Sequence, residues 1–267
     1  MLDYPRPPAP QARARVSLMS DGLTYVGHST TLVRIDGATL LTDPVLRSRI
    51  GPLRRHGAAP DAGLRGAPDA VLVSHLHRDH LDLPSLRRLA PGTPLVVPRG
   101  GARVASRAGA TEVVELGTWD QISVGSVTVT AVPAVHDGRR SRWGPHRKAL
   151  GYVIADGGRR VYFAGDTALY QEMSELRPLD LALLPVWGWG PSLSHGHLDP
   201  AGAARALALL RPRVAVPIHW GTFYPLGLRR LRPDRLTAPP HEFARHAAKL
   251  APDVEVRVLE PGEATEL

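Results

Sequence analysis

The stretch Ala-Val-Leu-Val-Ser-His-Leu-His-Arg-Asp-His, residues 70–80, decides how the rest of the chain is read. Ala70–Ser74 has the short apolar character of a strand buried in a sheet. Three imidazoles and a carboxylate follow within six residues, His75, His77, Asp79 and His80. Titratable groups crowded at the end of a buried strand are costly unless something binds them. His75 and His77 stand two apart, so an extended segment turns both side chains to one side. Asp79 and His80 can reach a neighbouring point if the chain bends there. The spacing offers two ligands to one metal ion and two to a second. Neutral imidazole with carboxylate suits zinc, and also manganese or iron.

The same chemistry recurs further along. His136 closes the run Val127–Val135, Asp166 follows Val161–Gly165, and His219 follows Ala215–Ile218. Each is a polar residue delivered at the end of an apolar strand, which is how rigid scaffolds present ligands to one edge. Taken alone, a histidine after a strand is usually a surface residue. Four segments with the same pattern point to a shared site.

Three further features bear on the chemistry. His197, in Ser194-His195-Gly196-His197-Leu198-Asp199, could donate a proton to a leaving group or hold a substrate oxygen. It could equally be a helix-entry residue, and His195 is a rival for the same task. The loop Asp137–Lys148 carries Arg139, Arg140, Arg142, Arg147 and Lys148. Arginine suits bidentate phosphate recognition, so Arg139 and Arg140 are candidate substrate contacts, with a merely solvated loop as the alternative. Trp187, in Trp187-Gly188-Trp189-Gly190, either walls the pocket or packs against the sheet edge.

Cysteine is absent from the 267 residues, which excludes disulfides, thiolate ligands and a cysteine nucleophile. Any metal is then held by imidazole and carboxylate, and a cytoplasmic location is the default expectation. The hydrophobic fraction of 43% and charged fraction of 22% are those of a folded globular chain. No run approaches the roughly 18 apolar residues of a membrane span, so no transmembrane segment is expected. A formal charge of +8 invites a nucleic-acid reading. Yet only Lys148 and Lys249 are lysines, which leaves 31 of the 33 basic residues as scattered arginines. Aromatics make up 5% and are not interleaved with basic runs. That is a bias toward arginine, and nucleic acid is not the expected partner. A small-molecule or lipid-like substrate is, and assembly into a homo-oligomer stays open.

Residues 1–15 are proline-rich and polar, without the apolar core of a secretory signal, and read as a flexible tail. Residues 16–267 read as one domain, since no repeat or linker interrupts them. Early strands are expected at Arg15–Met19, Leu23–Val26, Thr31–Ile35 and Ala38–Thr42, with Asp36-Gly37 as a hairpin turn. Gly51–Pro68 reads as a loop. Later strands fall at Leu95–Val97, Glu112–Glu115, Gln121–Val124, Val127–Pro133, Leu150–Ala155, Arg160–Phe163, Leu181–Leu184, Val214–Ile218 and Val254–Leu259. Helical patterns occupy Leu83–Leu89, Arg99–Arg107, Ala168–Leu176, Pro200–Leu210 and His241–Leu250, the fourth with Asp199 as N-cap and Pro200 at its first position. Strands first, then strands mixed with helices, give a two-sheet core covered by helices, α/β or α+β.

His-x-His-x-Asp-His after a strand, a later histidine, Gly165-Asp166-Thr167 and a late histidine together resemble the metallo-β-lactamase superfamily over residues 22–225. The resemblance implies a four-layer αββα sandwich with metals at one sheet edge. Thr42-Asp43-Pro44, His197-Leu198-Asp199-Pro200 and Ile218-His219-Trp220-Gly221-Thr222-Phe223 are most similar to one branch. It contains N-acylphosphatidylethanolamine phospholipase D and ascorbate-6-phosphate lactonase-like proteins. By this resemblance His75, His77 and His136 hold one metal, Asp79, His80 and His219 a second, and Asp166 bridges them. Asp43 hydrogen-bonds a ligand imidazole and fixes its tautomer, unless it is only a turn residue before Pro44. His28 supports the site from below or caps the turn Gly27-His28-Ser29.

The implied chemistry is hydrolysis by a metal-bound hydroxide, with two divalent cations, zinc first and manganese or iron as alternatives. Asp79 and His197 are the side chains expected to assist it, Asp79 by offsetting the cations' charge. A phosphodiester or phospholipid-like substrate is the leading expectation, and a phosphorylated sugar lactone the alternative. A di-iron redox protein and a non-catalytic metal-binding relative are the readings from other classes.

Overall fold

The computed structural model describes residues 21–57, 60, 67–89, 91–141, 143–188 and 196–267. The expected tail and the strand Arg15–Met19 lie outside them, as do Arg142, Trp189 and His195. In chain order the elements begin with β1 (Gly22–Gly27), β2 (Thr30–Ile35), β3 (Ala38–Thr42), β4 (Arg49–Ile50) and β5 (Leu53–Arg55). Next come β6 (Ala70–Leu72), α1 (Leu83–Leu86), β7 (Leu95–Pro98), α2 (Ala102–Ala105) and β8 (Val113–Leu116). Then follow β9 (Gln121–Val124), β10 (Val127–Asp137), β11 (Lys148–Ala155), β12 (Arg160–Phe163) and β13 (Leu181–Pro185). The chain continues through α3 (Pro200–Leu210), β14 (Val214–Ile218), β15 (Phe223–Pro225), α4 (Leu228–Leu231), α5 (Ala238–Leu250), β16 (Glu255–Val256) and β17 (Ala264–Glu266).

Two seven-stranded sheets form the core, in the orders β17-β1-β2-β3-β6-β7-β8 and β16-β14-β13-β12-β11-β10-β9. Each is antiparallel on one side and parallel on the other, the change falling at β3 in the first and β12 in the second. Alternation along the strands sets the layers. Leu40, Leu72 and Val96 belong to the cluster shared with the second sheet. Their neighbours Leu41, Val71 and Val97 pack outward with Leu86 of α1 and Ala105 of α2. On the far side, Ala203 and Leu207 of α3 and Phe243 of α5 cover the second sheet. The result is the αββα sandwich expected from the sequence.

Most elements fall where the sequence puts them, and the departures have local causes. Gly51–Pro68 is not all loop, because β4 and β5 pair across Gly51-Pro52 and β5 then pairs with β15. Arg99–Arg107 holds only the short α2 and a 3-10 turn, since Gly100 sits at φ +85° ahead of it. Ala168–Leu176 is extended at its start, where Ala168 N–H bonds the carbonyl of Val135, and becomes a 3-10 turn over Gln171–Leu176. The last strand shrinks to β16, and β17, unforeseen, extends the first sheet beside β1. Helix α3 keeps its expected start, the Asp199 side chain accepting Gly202 N–H. Among the described residues no helix is long and apolar enough to cross a membrane.

Candidate metal centre

Six strand ends from both sheets meet at one edge. β1 is followed by His28, β3 by Asp43, β6 by Ser74 and His75, β12 by Asp166 and β14 by His219, while His136 lies near the end of β10. Backbone conformation aims several of them. His28, Asp43 and His219 all have positive φ, at +59°, +33° and +64°. Each such non-glycine residue carries strain of roughly 1–3 kcal/mol, and three at one edge mark a place held for a purpose other than stability. Gly165, at φ +60°, lies where a Cβ would come 2.5 Å from the Cβ of Ser74. Only glycine there lets Asp166 close on the His75 loop.

The side chains fall into two adjacent donor groups. His75 Nε2 lies 2.9 Å from His77 Nδ1, and His136 Nε2 lies 3.2 Å from that same nitrogen. In the second group Asp79 Oδ2 stands 3.4 Å from His80 Nε2, 3.9 Å from His219 Nε2 and 3.2 Å from His28 Nε2. Asp166 lies between the groups. Its Oδ2 is 3.3 Å from His80 Nε2 and 4.0 Å from His75 Nε2, and its Oδ1 is 3.3 Å from His219 Nε2. The seven residues the sequence nominated are therefore gathered in one place, and His28 joins the second group rather than only capping its turn.

Hydrogen bonds on the far sides of the rings fix which nitrogen faces inward. Asp43, fully buried, accepts from His80 Nδ1 at 2.6 Å and from the Ser74 hydroxyl at 2.6 Å, and its other oxygen takes Ser74 N–H. Ser74 Oγ, with its proton given to Asp43, accepts from His75 Nδ1 at 2.9 Å. His136 Nδ1 donates to the carbonyl of Gly196 at 2.8 Å. In His75 and His136 Nε2 is left with its lone pair toward the centre, and in His80 Nε2 is likewise the nitrogen turned inward. Ser74 was not singled out by the sequence, although its place between strand and first histidine is the one visible sign of its part.

The electrostatics differ across the cluster. Burial, with the neighbouring His80 second, pushes His75 well below the ordinary imidazole value. Burial likewise lowers His77 to about 4 and His219 to about 3. His80 goes the other way. Burial opposes its charge, but Asp166, Asp79 and Asp43 together raise it well above 6.5. Burial pushes Asp79 and Asp166 up, yet the surrounding imidazoles outweigh it and hold both well below the usual carboxylate range. Three carboxylates among buried, mostly neutral imidazoles favour added positive charge. Among the described residues, His80 Nε2 and Asp166 Oδ1 are also buried without a hydrogen-bond partner. Both features suit divalent cations held by nitrogen and oxygen donors.

His197 lies at this cluster. Its Nε2 is 3.5 Å from Asp166 Oδ2, its ring packs edge-on against His136, and its side chain remains partly exposed. Two of the expected substrate contacts are turned to other work. Arg139 forms a two-pronged pair with Asp137. Arg140 Nη1 donates to the carbonyls of Leu76 at 3.0 Å and Leu81 at 2.5 Å, so this guanidinium clasps the loop bearing His77, Asp79 and His80. Of the two readings of Trp187, packing fits its surroundings: it is 5% exposed and lies in a small apolar cluster with Tyr224 and Leu236.

The family model described as Beta-lactamase superfamily domain matches residues 38–220. A metal-dependent hydrolase of Methanopyrus kandleri is 35% identical, over 91% of this chain and 99% of its own length. An N-acyl-phosphatidylethanolamine-hydrolyzing phospholipase D of Caenorhabditis elegans is 33% identical over 76% of this chain, which spans 64% of that protein. Among solved structures, Igni18, a metallo hydrolase of Ignicoccus hospitalis, superposes with a TM-score of 0.70 at 29% identity, covering 92% of this chain and 97% of that one. With the αββα fold and the donor cluster at its edge, these likenesses have one reading: the chain belongs to the metallo-β-lactamase superfamily, in the branch of metal-dependent hydrolases that includes the phospholipase D relative.

Proposed function

We propose that this protein is a dinuclear metal hydrolase acting on phosphodiesters. The carrying observation is the pair of adjacent donor groups joined at Asp166. His75, His77 and His136 would hold one divalent ion and Asp79, His80 and His219 the other, with Asp166 placed to serve both, and zinc is the best match to this donor set. Two such ions supply a water activated for attack at neutral pH and a Lewis-acid contact that polarises the electrophile.

The chain's own residues do the rest. Asp79 and Asp166 offset the repulsion between two close dications. Asp43 and Ser74 keep His80 and His75 in the tautomer that turns Nε2 inward. His197, at the more exposed side of the cluster, holds a proton on its ring for the departing oxygen. The phosphodiester assignment is supported by the 33% identity to the phospholipase D relative. The test is turnover by the zinc-reconstituted protein of bis(p-nitrophenyl) phosphate against a panel of lactones. Hydrolysis of the diester is expected, and turnover of lactones alone would overturn the substrate assignment.

A further inference from the structure

Beside the small sheet of β15, β5 and β4 lies a concavity of about 620 Å³ whose lining includes Arg54, Arg55, His56, Leu226, Arg229 and Arg230. Four guanidinium groups and an imidazole face it, and among the described residues no carboxylate lines it. Arg55 is held in place by the fold. It donates to the carbonyls of Arg47 and Val45, and its guanidinium lies 4.7 Å from the centre of the Phe223 ring. Arg54, Arg229 and Arg230 are exposed, and among the described residues none of them is paired with a carboxylate. Arg229 Nη1 even stands 3.3 Å from His56 Nδ1. Burial first, then the charges of Arg229 and Arg54, lower His56 below the ordinary imidazole value.

Some surface arginines are matched with acids, as Arg99 is with Asp120 and Arg257 with Glu255. Here like charges converge on a hollow without such a match, an arrangement that an anion would relieve. Guanidinium groups bind tetrahedral oxyanions through paired N–H bonds, which favours a phosphoryl group over a single carboxylate. Leu226 and Leu231 are 50% and 77% exposed nearby, apolar surface suited to the organic part of such a ligand. The hollow is also distinct from the donor cluster. Phe223, fully buried, packs edge-on against His28 and beneath Arg55, and Thr222 accepts the backbone N–H of both His28 and His56, so these two residues lie between the two regions.

We infer that this arginine-lined concavity is a second binding site, for the phosphoryl group of an organic phosphate, separate from the metal centre. The probes are inorganic phosphate and glycerol 3-phosphate, titrated by calorimetry into the metal-loaded protein at low salt. Binding at this site is expected to persist in His77→Ala, which alters only the metal centre. It should weaken by about tenfold or more when Arg229→Ala and Arg230→Ala are combined, since charge-assisted bonds are lost. Arg54→Gln gives an independent variant, and circular dichroism verifies folding of each. Wild-type affinity in both the double variant and Arg54→Gln would overturn the site, as would loss of all phosphate binding in His77→Ala.

A second arm separates the sources of the group. Vesicles of phosphatidylcholine alone and mixed equally with phosphatidic acid are sedimented with the protein. Recruitment that needs both phosphatidic acid and the two arginines assigns the phosphoryl group to a lipid. Binding of glycerol 3-phosphate without recruitment assigns it to a soluble ligand. Absence of both overturns the inference.

Discussion

The two donor groups at the sheet edge are built from similar residues and sit in different surroundings. His75, His77 and His136 are imidazole only, two of them half-buried, and their environment keeps each neutral. Asp79, His80 and His219, with His28 behind them, contain a carboxylate and are more deeply buried. Their central imidazole, His80, is surrounded by Asp43, Asp79 and Asp166 and is drawn toward its charged form. The first group thus offers lone pairs ready to bind, and the second must exchange a proton for a metal. The contrast teaches that ligand identity alone does not set how a site fills. The carboxylates around the ring do.

The strongest blow to this arrangement is at the residue both groups share. Asp166→Ala should deplete metal from both groups and bring turnover of a phosphodiester below detection, read by elemental analysis beside activity. Two ions per chain in that variant would remove Asp166 from its bridging place. Next comes His197, which stands by the first group and shares Asp166 with the second. His197→Ala should leave metal content unchanged and slow turnover by about 10²- to 10⁴-fold, the range for a positioned acid or base. Loss of metal would instead make it a ligand.

Asp43→Asn probes chiefly the second group. An amide oxygen in the place of Oδ2 still accepts from His80 Nδ1 and the Ser74 hydroxyl, but the charge that steadies the ring is gone, and the amide nitrogen in the place of Oδ1 cannot accept Ser74 N–H. Metal affinity should fall by about 10- to 100-fold, as for other partners of ligand histidines. Because Ser74 also serves His75, a small loss in the first group should accompany it.

Protons give a sharper comparison. At neutral pH the first group's imidazoles have no proton to release, since all three are lowered and His77 lies at about 4. His80 is raised, so a metal binding there displaces about one proton, and affinity should climb about tenfold per pH unit up to its raised value. The first group should stay flat across neutral pH and weaken only as pH drops toward about 4. Calorimetry in two buffers of different ionisation enthalpy would show one proton-linked step and one without. Equal proton release in both steps would contradict the distinction.

How much of this was legible beforehand follows sequence distance. His75, His77, Asp79 and His80 sit on one short loop, so their spacing alone betrayed a site. His136, Asp166 and His219 each announced themselves at a strand end, as the sandwich and the two groups did through the family likeness. The supporting shell was harder to see. Asp43 reaches Ser74 across 31 positions and His80 across 37, contacts that exist only because β3 and β6 run parallel side by side. His28 enters the second group because its carbonyl takes His219 N–H, a link spanning the sheets that no local pattern encodes. Trp187 stayed open between two readings because a tryptophan at the end of an apolar strand and ahead of a glycine looks the same whether it lines a cleft or fills the space under a loop. The basic hollow escaped notice because arginine is everywhere in this chain, and only the fold shows which arginines lack acids beside them.

Arg140 offers the finest discrimination between the groups. It was expected to meet substrate, and instead its Nη1 grips the carbonyls on either side of the segment that carries His77, Asp79 and His80. That segment feeds both groups, His77 to the first and the other two to the second, while His75 is anchored separately by Ser74. Lysine at this position keeps the charge, but its side chain is one atom shorter than the reach to Nη1, so it can meet one carbonyl well and not both. Arg140→Lys should therefore weaken metal binding a few-fold, about 1 kcal/mol as for one weakened hydrogen bond, and by similar factors in the two groups. KM for a small diester should barely change, because the guanidinium faces the loop. A rise in KM with metal affinity intact would return Arg140 to the substrate and make its grip on the loop incidental.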